Sequence, residues 1–408
     1  MSFSAFGLHP SLLLALRELG FQNPTPIQRE AIPPAIDGRD LVASAMTGSG
    51  KTAAFALPIL QRLATLSAGT TRALVLSPTR ELAAQIEEHV RELGRHTRVK
   101  TAAVFGGVGM GPQEQALRRG TDVIVATPGR LLDHLRTSCA ALRGVEILVI
   151  DEADRMLDMG FLPDVRRILA KLPAHRQTLL FSATMPPAIQ ALAREMQRSP
   201  ATIAIGRPTT PAVSLSQALY PVPAELKSAL LAELVRSGEI RSVIVFTRTK
   251  HRANRLAEYL VRNGVAAGRI HGNRSQAQRT QALGGFKAGK FPVLVATDIA
   301  ARGIDVDELS HVVNFDVPAS AEDYVHRVGR TARAEAKGDA LMFVSPEEEA
   351  DVRGIERVIG RKLPRLTVAG FDYSRRAAVK LEIPLQERWA RVRAERGRRL
   401  RRHQAAAC

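Results

Sequence analysis

A glycine-rich segment is the part of this chain with the clearest capacity for chemistry. It reads Ala45-Met46-Thr47-Gly48-Ser49-Gly50-Lys51-Thr52 and follows a short apolar run. Glycines let backbone N–H groups close around phosphates, a lysine at the start of a helix reaches the outer phosphates, and an adjacent hydroxyl can ligate Mg²⁺. The segment predicts a nucleotide site, with the phosphates held by Thr47, Gly48, Ser49 and Gly50, a catalytic Lys51, and Thr52 as both a nucleotide and a metal ligand.

Two adjacent carboxylates form the second candidate. Asp151 and Glu152 follow the apolar run 147–150. An open parallel sheet binds its ligand at the carboxyl ends of its strands, where such a run would deliver them. We expect Asp151 to hold Mg²⁺, directly or through water, and Glu152 to orient or deprotonate an attacking water. An Asp-Glu pair also suits an ordinary helix N-terminus, so this prediction depends on the phosphate segment in the same domain.

Short β-branched or aliphatic runs must position these residues. They alternate with helical patterns in two series, which is typical of parallel α/β units. The predicted strands are 40–44, 73–77, 123–126, 147–150 and 178–182 in the first series, and 243–247, 293–296, 311–314 and 340–344 in the second. Residues 206–211 are rich in proline and glycine, which favours a linker. We predict a first domain at 1–205, a linker at 206–216, a second domain at 217–368 and a basic tail at 369–408.

Composition narrows the class of protein. A chain of 408 residues exceeds the size of a single core, and its formal net charge of +18 is a surplus that attracts polyanions. Eleven basic and three acidic side chains lie between residues 375 and 408. Aromatic residues make up 4% of the chain, so contact with a phosphate backbone is favoured over the stacking of many bases.

The same composition bears on location. No apolar run reaches the roughly 18 residues that a membrane span requires, and the N-terminal stretch around Leu12 predicts an amphipathic helix. Two cysteines, Cys139 and Cys408, are too few for a disulfide framework, which agrees with a reducing compartment. We expect a cytoplasmic protein without membrane partners.

From Phe3 to about Phe343 the chain resembles the DEAD-box ATP-dependent RNA helicases. It carries the tetrad Asp151-Glu152-Ala153-Asp154, and residues 20–28 are similar to the family's Q motif. Ala45 stands where the strict P-loop pattern has its first glycine. Met46 and Ala332 depart from the family pattern, Met46 on a loop side chain that the backbone cradle does not need and Ala332 as a small change that leaves the arginine geometry intact. The resemblance implies two tandem RecA-like α/β domains with mainly parallel sheets, which use ATP and Mg²⁺ and bind RNA between them. The segment 365–373 and the tail are similar to the bacterial RhlE-like subgroup.

The resemblance also implies further nucleotide contacts. In the Q motif, Gln28 would read the adenine edge and select ATP over GTP, because an amide side chain donates and accepts hydrogen bonds at once. Phe21 would contact the adenine base. Asp305 would contact the ribose. Arg330 and Arg333 would act as catalytic arginine fingers on the γ-phosphate.

RNA contacts and coupling residues follow from the resemblance as well. The implied RNA contacts lie in segments that follow strands: Pro78, Thr79, Arg80, Gly106, Gly107, Thr127, Arg130, Thr247, Gln276, Arg279 and Thr297. The residues implied to couple the nucleotide to RNA are Ser182, Thr184, Asp298 and His326. Singly, each of these motifs also suits an ordinary cap or turn.

Alternatives stay open at this point. A nucleotide-gated RNA clamp or chaperone that does not unwind productively would carry the same motifs, and a DNA translocase is a weaker third reading. We expect a monomer, with proteins of ribosome assembly or RNA decay as the partner classes. The tail suits either a solvated helix or a disordered basic arm.

Overall fold

The structure is a computed structural model that describes residues 2–45, 48–65, 69–137, 142–205, 215–301, 309–329, 331 and 338–375, with the backbone alone at 299, 301, 322 and 326. The described chain forms two compact units, which divide between residues 205 and 215. Each unit has its own parallel sheet. Among the described residues, no helix combines the length and apolarity that crossing a membrane requires.

The first unit contains seven described strands in one parallel sheet. They are β1 (Leu41–Ser44), β2 (Ala73–Leu76), β3 (Thr101–Val104), β4 (Val123–Ala126), β5 (Ile147–Ile150), β6 (Gln177–Ser182) and β7 (Ala201–Ala204). Their order across the sheet is β3-β4-β2-β5-β6-β1-β7. Every pairing between them is parallel, so all the carboxyl ends of the strands meet at one edge.

Helices cover both faces of the first sheet. They are α1 (Pro10–Glu18), α2 (Pro26–Ile36), α3 (Lys51–Leu63), α4 (Arg80–Leu93), α5 (Met110–Arg118), α6 (Pro128–Arg136), α7 (Ala153–Asp158), α8 (Leu162–Leu169) and α9 (Pro187–Met196). Side chains alternate along each strand, so Val75 and Val149 pack in one core with α1 to α4, while Leu74 and Leu148 pack in the other with α6 to α9. Burial on both faces explains why these strands are continuously apolar.

The second unit repeats this architecture. Its described strands are β8 (Leu215–Pro221), β9 (Val243–Thr247), β10 (Ala267–Ile270), β11 (Val293–Thr297), β12 (His311–Asn314) and β13 (Gly338–Val344), in the order β10-β11-β9-β12-β13-β8. Its helices are α10 (Lys227–Arg236), α11 (Lys250–Arg262), α12 (Gln276–Lys287), α13 (Asp298–Ala301), α14 (Ala321–Val328) and α15 (Glu349–Ile359). The prediction of α/β domains with parallel sheets is confirmed.

Two details differ from the predicted boundaries. Leu215 and Ser216, placed in the linker from sequence, belong to β8 and pair with β13. Phe371, placed in the tail, is buried in the core of the second unit, and the guanidinium of Arg375 lies 4.6 Å from its ring centroid. Burial of an aromatic ring outweighs the irregular local sequence, so the second unit extends to the last described residue, 375.

Candidate functional site

The carboxyl edge of the first sheet brings three candidate segments together. Strands β5, β6 and β1 are neighbours in the sheet. Asp151 and Glu152 follow β5, Ser182 ends β6, and the glycine-rich segment follows β1. Residues far apart in sequence therefore converge at one edge, which is where open α/β sheets bind ligands.

The glycine-rich segment has the backbone of a phosphate cradle. Gly48 and Gly50 have φ angles of 81° and 94°, in the left-handed region that suits glycine. Helix α3 begins directly afterwards at Lys51, so its first N–H groups face the loop. The Lys51 ammonium is buried and donates a hydrogen bond to the Ala45 carbonyl oxygen at 3.0 Å. Thr52 lies partly buried in the first turn of the same helix.

Gln28 is fixed against this loop. Its Nε2 donates to the Gly50 carbonyl oxygen at 3.1 Å, and its Oε1 accepts from the Thr25 N–H at 2.9 Å. The Thr25 hydroxyl donates to the Ser49 carbonyl oxygen at 2.8 Å. A Cβ at Gly50 would lie 2.5 Å from Gln28 Nε2, so a side chain there would displace the Gln28 amide. The amide predicted to read adenine thus also holds the phosphate loop, and Phe21 packs nearby against the rings of Phe3 and His89.

Asp151 lies buried at the end of β5. Its Oδ1 accepts a hydrogen bond from the Glu152 N–H at 3.0 Å. Burial raises the pKa of Asp151 to about 6, although the positive charge of Lys51 opposes the rise. A carboxylate that burial destabilises in this way gains from a bound cation, because opposite charge favours its ionised form.

Glu152 lies beside it and is paired within the chain. Its backbone has a φ of 54°, a left-handed conformation that is rare for a residue with a side chain. The Glu152 Oε2 accepts a hydrogen bond from Arg155 Nη1 at 2.7 Å, and both side chains are almost completely buried. The carboxylate of Glu152 is therefore held by Arg155 next to Asp151.

Asp154 links the turns that follow β5 and β6. Its Oδ2 accepts from the Thr184 N–H at 2.8 Å and from the Thr184 hydroxyl at 3.0 Å, while its own N–H donates to Ser182 Oγ at 3.1 Å. Burial alone would raise the pKa of Asp154, but these hydrogen bonds and the charge of Lys51 outweigh it and hold the pKa below its ordinary value. Two of the four predicted coupling residues, Ser182 and Thr184, are thus bound directly to the acidic tetrad.

The other half of the same edge collects the predicted RNA contacts of the first unit. Strands β3, β4 and β2 are neighbours. Gly106 and Gly107 follow β3, Thr127 follows β4 at the position before α6, and Pro78 and Thr79 follow β2. Thr79 Oγ1 accepts from the Leu82 N–H at 3.3 Å and so caps α4. Two helix N-termini and a glycine turn lie together, which is an arrangement suited to phosphates.

Two arginines hold the glycine turn. The Arg80 guanidinium packs so closely that a Cβ at Gly107 would lie 1.9 Å from its Nη1, and Gly107 has a φ of 85°. Arg130 Nη1 donates to the Val108 carbonyl oxygen at 3.0 Å. The predicted contacts from three separate motifs therefore form one basic surface.

The second unit also gathers its predicted RNA contacts at one edge. Strands β10, β11 and β9 are neighbours, and Thr297 of β11 pairs in register with Thr247 of β9. Gln276 and Arg279 lie in the first turn of α12, which follows β10, and both are buried. Two of the four predicted residues thus end adjacent strands, and the other two begin the helix that follows the third strand.

His271 marks a strongly positive region beside these residues. It is buried, and its Nε2 lies 2.9 Å from Asn254 Oδ1. Burial, and after it the positive charges of four neighbours, lower the pKa of His271 to about 4; the neighbours are Arg274, Arg269, Lys250 and Arg279. Four cations around a neutral imidazole favour a polyanion at this edge.

Arg327 binds Asp298, one of the predicted coupling residues. Its Nε donates to Asp298 Oδ1 at 2.6 Å and its Nη2 to Asp298 Oδ2 at 2.8 Å. Its Nη1 donates to Asn314 Oδ1 at 3.0 Å. This bidentate, charge-assisted pair joins the end of β11 to α14.

Some predicted site residues fall outside what the structure describes. They are Thr47, Asp305, Arg330 and Arg333, together with the side chain of His326. Their roles stay predictions.

Sequence reasoning did not assign roles to several residues that the structure brings into the site. Asp154 is predicted only as part of the tetrad, and the sequence patterns assign no role to Arg155, Thr25 or Arg327. The spacing of Glu152 and Arg155, three residues apart with opposite charges, was an available signal for the first pair. The other contacts join distant segments, so local spacing carries no sign of them.

Comparisons with known proteins agree with this geometry. The family model described as DEAD/DEAH box helicase matches residues 25–192, and that of the helicase conserved C-terminal domain matches residues 226–335. The DEAD-box ATP-dependent RNA helicase CshA of Bacillus cereus is 43% identical over 371 residues, which cover 91% of this chain and 70% of the relative. CshA of Bacillus subtilis is 42% identical over 372 residues, covering 91% and 75%.

Solved structures give the same result. S. cerevisiae Dbp5 bound to RNA and ADP BeF3 matches with a TM-score of 0.81 and 33% identity, covering 90% of this chain and 95% of that one. Mss116p bound to ssRNA and AMP-PNP matches with a TM-score of 0.80 and 26% identity, covering 90% and 79%. None of these relatives identifies an RhlE-like subgroup, which stays a prediction. The chain belongs to the family of DEAD-box ATP-dependent RNA helicases.

Proposed function

We infer that this protein is an ATP-dependent RNA helicase that holds the RNA backbone and separates short duplexes as it hydrolyses ATP. One observation carries the inference most directly. The carboxyl edge of the first sheet is divided, with the segments proposed to bind nucleotide after β5, β6 and β1 and those proposed to bind RNA after β3, β4 and β2. One sheet thus carries both proposed sites.

The residues present fit ATP and Mg²⁺. The left-handed glycines and the start of α3 form a cradle of N–H groups, and Lys51 supplies the positive charge that phosphates require. The hydroxyl of Thr52 and the carboxylate of Asp151 are oxygen ligands of the kind that Mg²⁺ prefers. We propose that these two residues hold the metal, which would neutralise the phosphate charge that develops during hydrolysis.

The chain's own residues then have separable roles. Lys51 positions the outer phosphates, and Glu152 orients the attacking water and takes its proton. Gln28 joins base recognition to the phosphate loop, because its amide already contacts Gly50. We propose that Asp305, Arg330 and Arg333 complete nucleotide binding and hydrolysis, as the family resemblance implies.

RNA binding is proposed to occur through the backbone. Helix starts, a glycine turn and arginines suit phosphates and carry no pattern that would read bases. Relatives named above as bound to RNA and a nucleotide support this assignment. We also propose that the protein is monomeric and cytoplasmic, and that its protein partners are those of ribosome assembly or RNA decay.

The test is strand displacement with turnover. The full chain is mixed with an excess of a short RNA duplex that has a single-stranded extension, and ATP hydrolysis is followed in parallel. We expect hydrolysis to rise with RNA and each protein to release more than one strand. Release that stops near one strand per protein would instead identify a nucleotide-gated clamp, and hydrolysis that RNA does not affect would contradict the proposal.

A further inference from the structure

We propose that Arg155 is a positioning residue for ATP hydrolysis, because its guanidinium fixes the orientation of the Glu152 carboxylate. The Arg155 Nη1 to Glu152 Oε2 distance is 2.7 Å, and the two side chains are 3% and 4% exposed. The hydrogen bond occupies Oε2, so we assign the attacking water to Oε1. This inference rests on the proposed function, since it concerns the same hydrolytic site.

The backbone fixes the position of Glu152 but not the direction of its carboxylate. Its N–H donates to Asp151 Oδ1 at 3.0 Å, and its carbonyl oxygen accepts from the Met156 N–H at 3.1 Å. These contacts hold the left-handed conformation of the residue. Three rotatable side-chain bonds remain, and a general base must lie within hydrogen-bond reach of its water. Arg155 supplies the contact that fixes them.

Arg155 is itself held in place by the coupling turn. The backbone N–H of Arg155 donates to Asp154 Oδ1 at 3.1 Å, while the other carboxylate oxygen of Asp154 accepts from the Thr184 hydroxyl. Thr184, Asp154, Arg155 and Glu152 thus form one continuous series of hydrogen-bonded neighbours. A shift of the turn after β6 would be transmitted to the carboxylate that orients the water.

Stability alone is a weak explanation for this pair. Buried ion pairs are often no more stable than apolar residues of similar volume, since burying two charges costs about as much as their attraction returns. A planar guanidinium with fixed donors is suited instead to setting the direction of a carboxylate. The location of the pair, at the residue that orients the water, agrees with that role.

The first test compares Arg155→Met with wild type in RNA-stimulated ATP hydrolysis. We expect kcat to fall about tenfold to a hundredfold, as for a modest misplacement of a catalytic group, while the KM for ATP and the Kd for RNA stay unchanged. Arg155→Lys, which keeps the charge, is expected to recover part of kcat. Arg166→Met is the matched control, because Arg166 pairs with Glu195 on the surface at 2.9 Å, and its kcat should equal that of wild type.

The double variant Glu152→Gln/Arg155→Met keeps the test decisive if Arg155→Met alone does not fold, because it leaves no unpaired buried charge. If Arg155 acts through Glu152, the residual kcat of the double variant equals that of Glu152→Gln within about twofold. A further loss beyond tenfold would show that Arg155 acts elsewhere and would overturn the proposal. The proposal would also be overturned if the Arg155→Met variant folded and kept the wild-type kcat. It would be overturned as well if that variant hydrolysed ATP faster than wild type in the absence of RNA.

The proposed function and this inference fail in different ways. If wild type shows no RNA-stimulated hydrolysis, the proposed function is wrong. If wild type is active and Glu152→Gln is inactive, yet Arg155→Met and Arg155→Lys match wild type, only the role of Arg155 is wrong.

Discussion

One carboxylate oxygen of Asp154 accepts two hydrogen bonds from Thr184, at 2.8 Å from its N–H and at 3.0 Å from its hydroxyl. Asp154 follows β5 and Thr184 follows β6, two neighbouring strands of the first sheet. The turn that carries the carboxylates proposed to be catalytic is therefore bound to the turn expected to couple hydrolysis to RNA. Movement of either turn strains the other, because a charged acceptor loses about 1.5 to 3 kcal/mol when its donor is removed.

Thr184→Val is expected to separate hydrolysis from unwinding. The variant removes the hydroxyl donor to Asp154 and leaves Lys51 and the glycine loop intact, so ATP affinity should stay unchanged. The number of strands displaced per ATP should fall severalfold. The measurement is the ratio of displaced duplex to released phosphate.

Thr178→Val is the matched control for that experiment. Thr178 lies in β6, the strand that precedes Thr184. Its side chain is fully buried, and its hydroxyl has no hydrogen-bond partner among the described residues. This variant should keep the wild-type ratio. Equal ratios for wild type and Thr184→Val would show that the hydroxyl contact does not couple the two activities.

Gln28→Ala should affect both nucleotide choice and stability. The amide makes two hydrogen bonds, to Gly50 and Thr25, whose loss is expected to lower the free energy of unfolding by about 1 to 3 kcal/mol. Preference for ATP over GTP should also be lost. Urea unfolding and competition binding measure the two effects, with the exposed Gln22→Ala as control. A variant that still prefers ATP would rule out base recognition by Gln28.

His271 predicts a pH dependence of stability in the second unit. Its folded pKa is about 4, below the ordinary value of 6.5, because of burial and the charges of Arg274, Arg269, Lys250 and Arg279. The unfolded chain therefore binds more protons between these values, so stability is full above about pH 6.5 and falls as the pH drops towards 4.

Replacement of this imidazole should remove that dependence. Thermal unfolding of His271→Asn between pH 7 and 4 should show a flatter dependence of Tm on pH than wild type. His9→Asn, at a partly exposed position in the first unit, is the control. Parallel curves for wild type and His271→Asn would contradict the assignment.

The tail is predicted to tether RNA by charge. Ten of the eleven basic residues counted from Arg375 lie beyond it, whereas Arg375 itself packs on Phe371 in the second unit. A chain ending after residue 375 should therefore keep its fold and ATP affinity. Its log affinity for RNA should fall less steeply with log salt, by about 0.7 for each phosphate that the tail would otherwise neutralise. Parallel slopes for the full and shortened chains would show that the tail does not touch RNA.

The strands show where prediction from sequence works and where it stops. Every predicted strand is an inner strand, and the four that were not predicted are the edge strands β3, β7, β8 and β10. Inner strands such as β4 and β5 are buried on both faces and read as continuous apolar runs, whereas β10 is mostly half-buried and has the sequence Ala-Gly-Arg-Ile. An edge strand is specified by its single neighbour more than by its own composition.

The site follows the same logic. Lys51, Asp151 and Glu152 were predicted because glycines, a lysine and acids at strand ends form local patterns. The closeness of Arg80 to Gly107, and the hold of Gln28 on Gly50, join segments that are distant in sequence. Such contacts depend on the order of the strands in the sheet, which the hydrophobic periodicity of the sequence does not specify.

Hydrolysis by the Glu152→Gln variant is the most direct test of the central claim that Glu152 drives RNA-stimulated turnover. The amide keeps the size of the carboxylate but cannot accept a proton from water, so turnover should fall by about a hundredfold or more. Binding of ATP and RNA should persist, since Lys51 and Asp151 are unchanged. The measurement is single-turnover phosphate release with saturating RNA, alongside binding of both ligands. Loss of turnover with intact binding is the predicted result, and a wild-type rate of phosphate release from the variant would contradict the account.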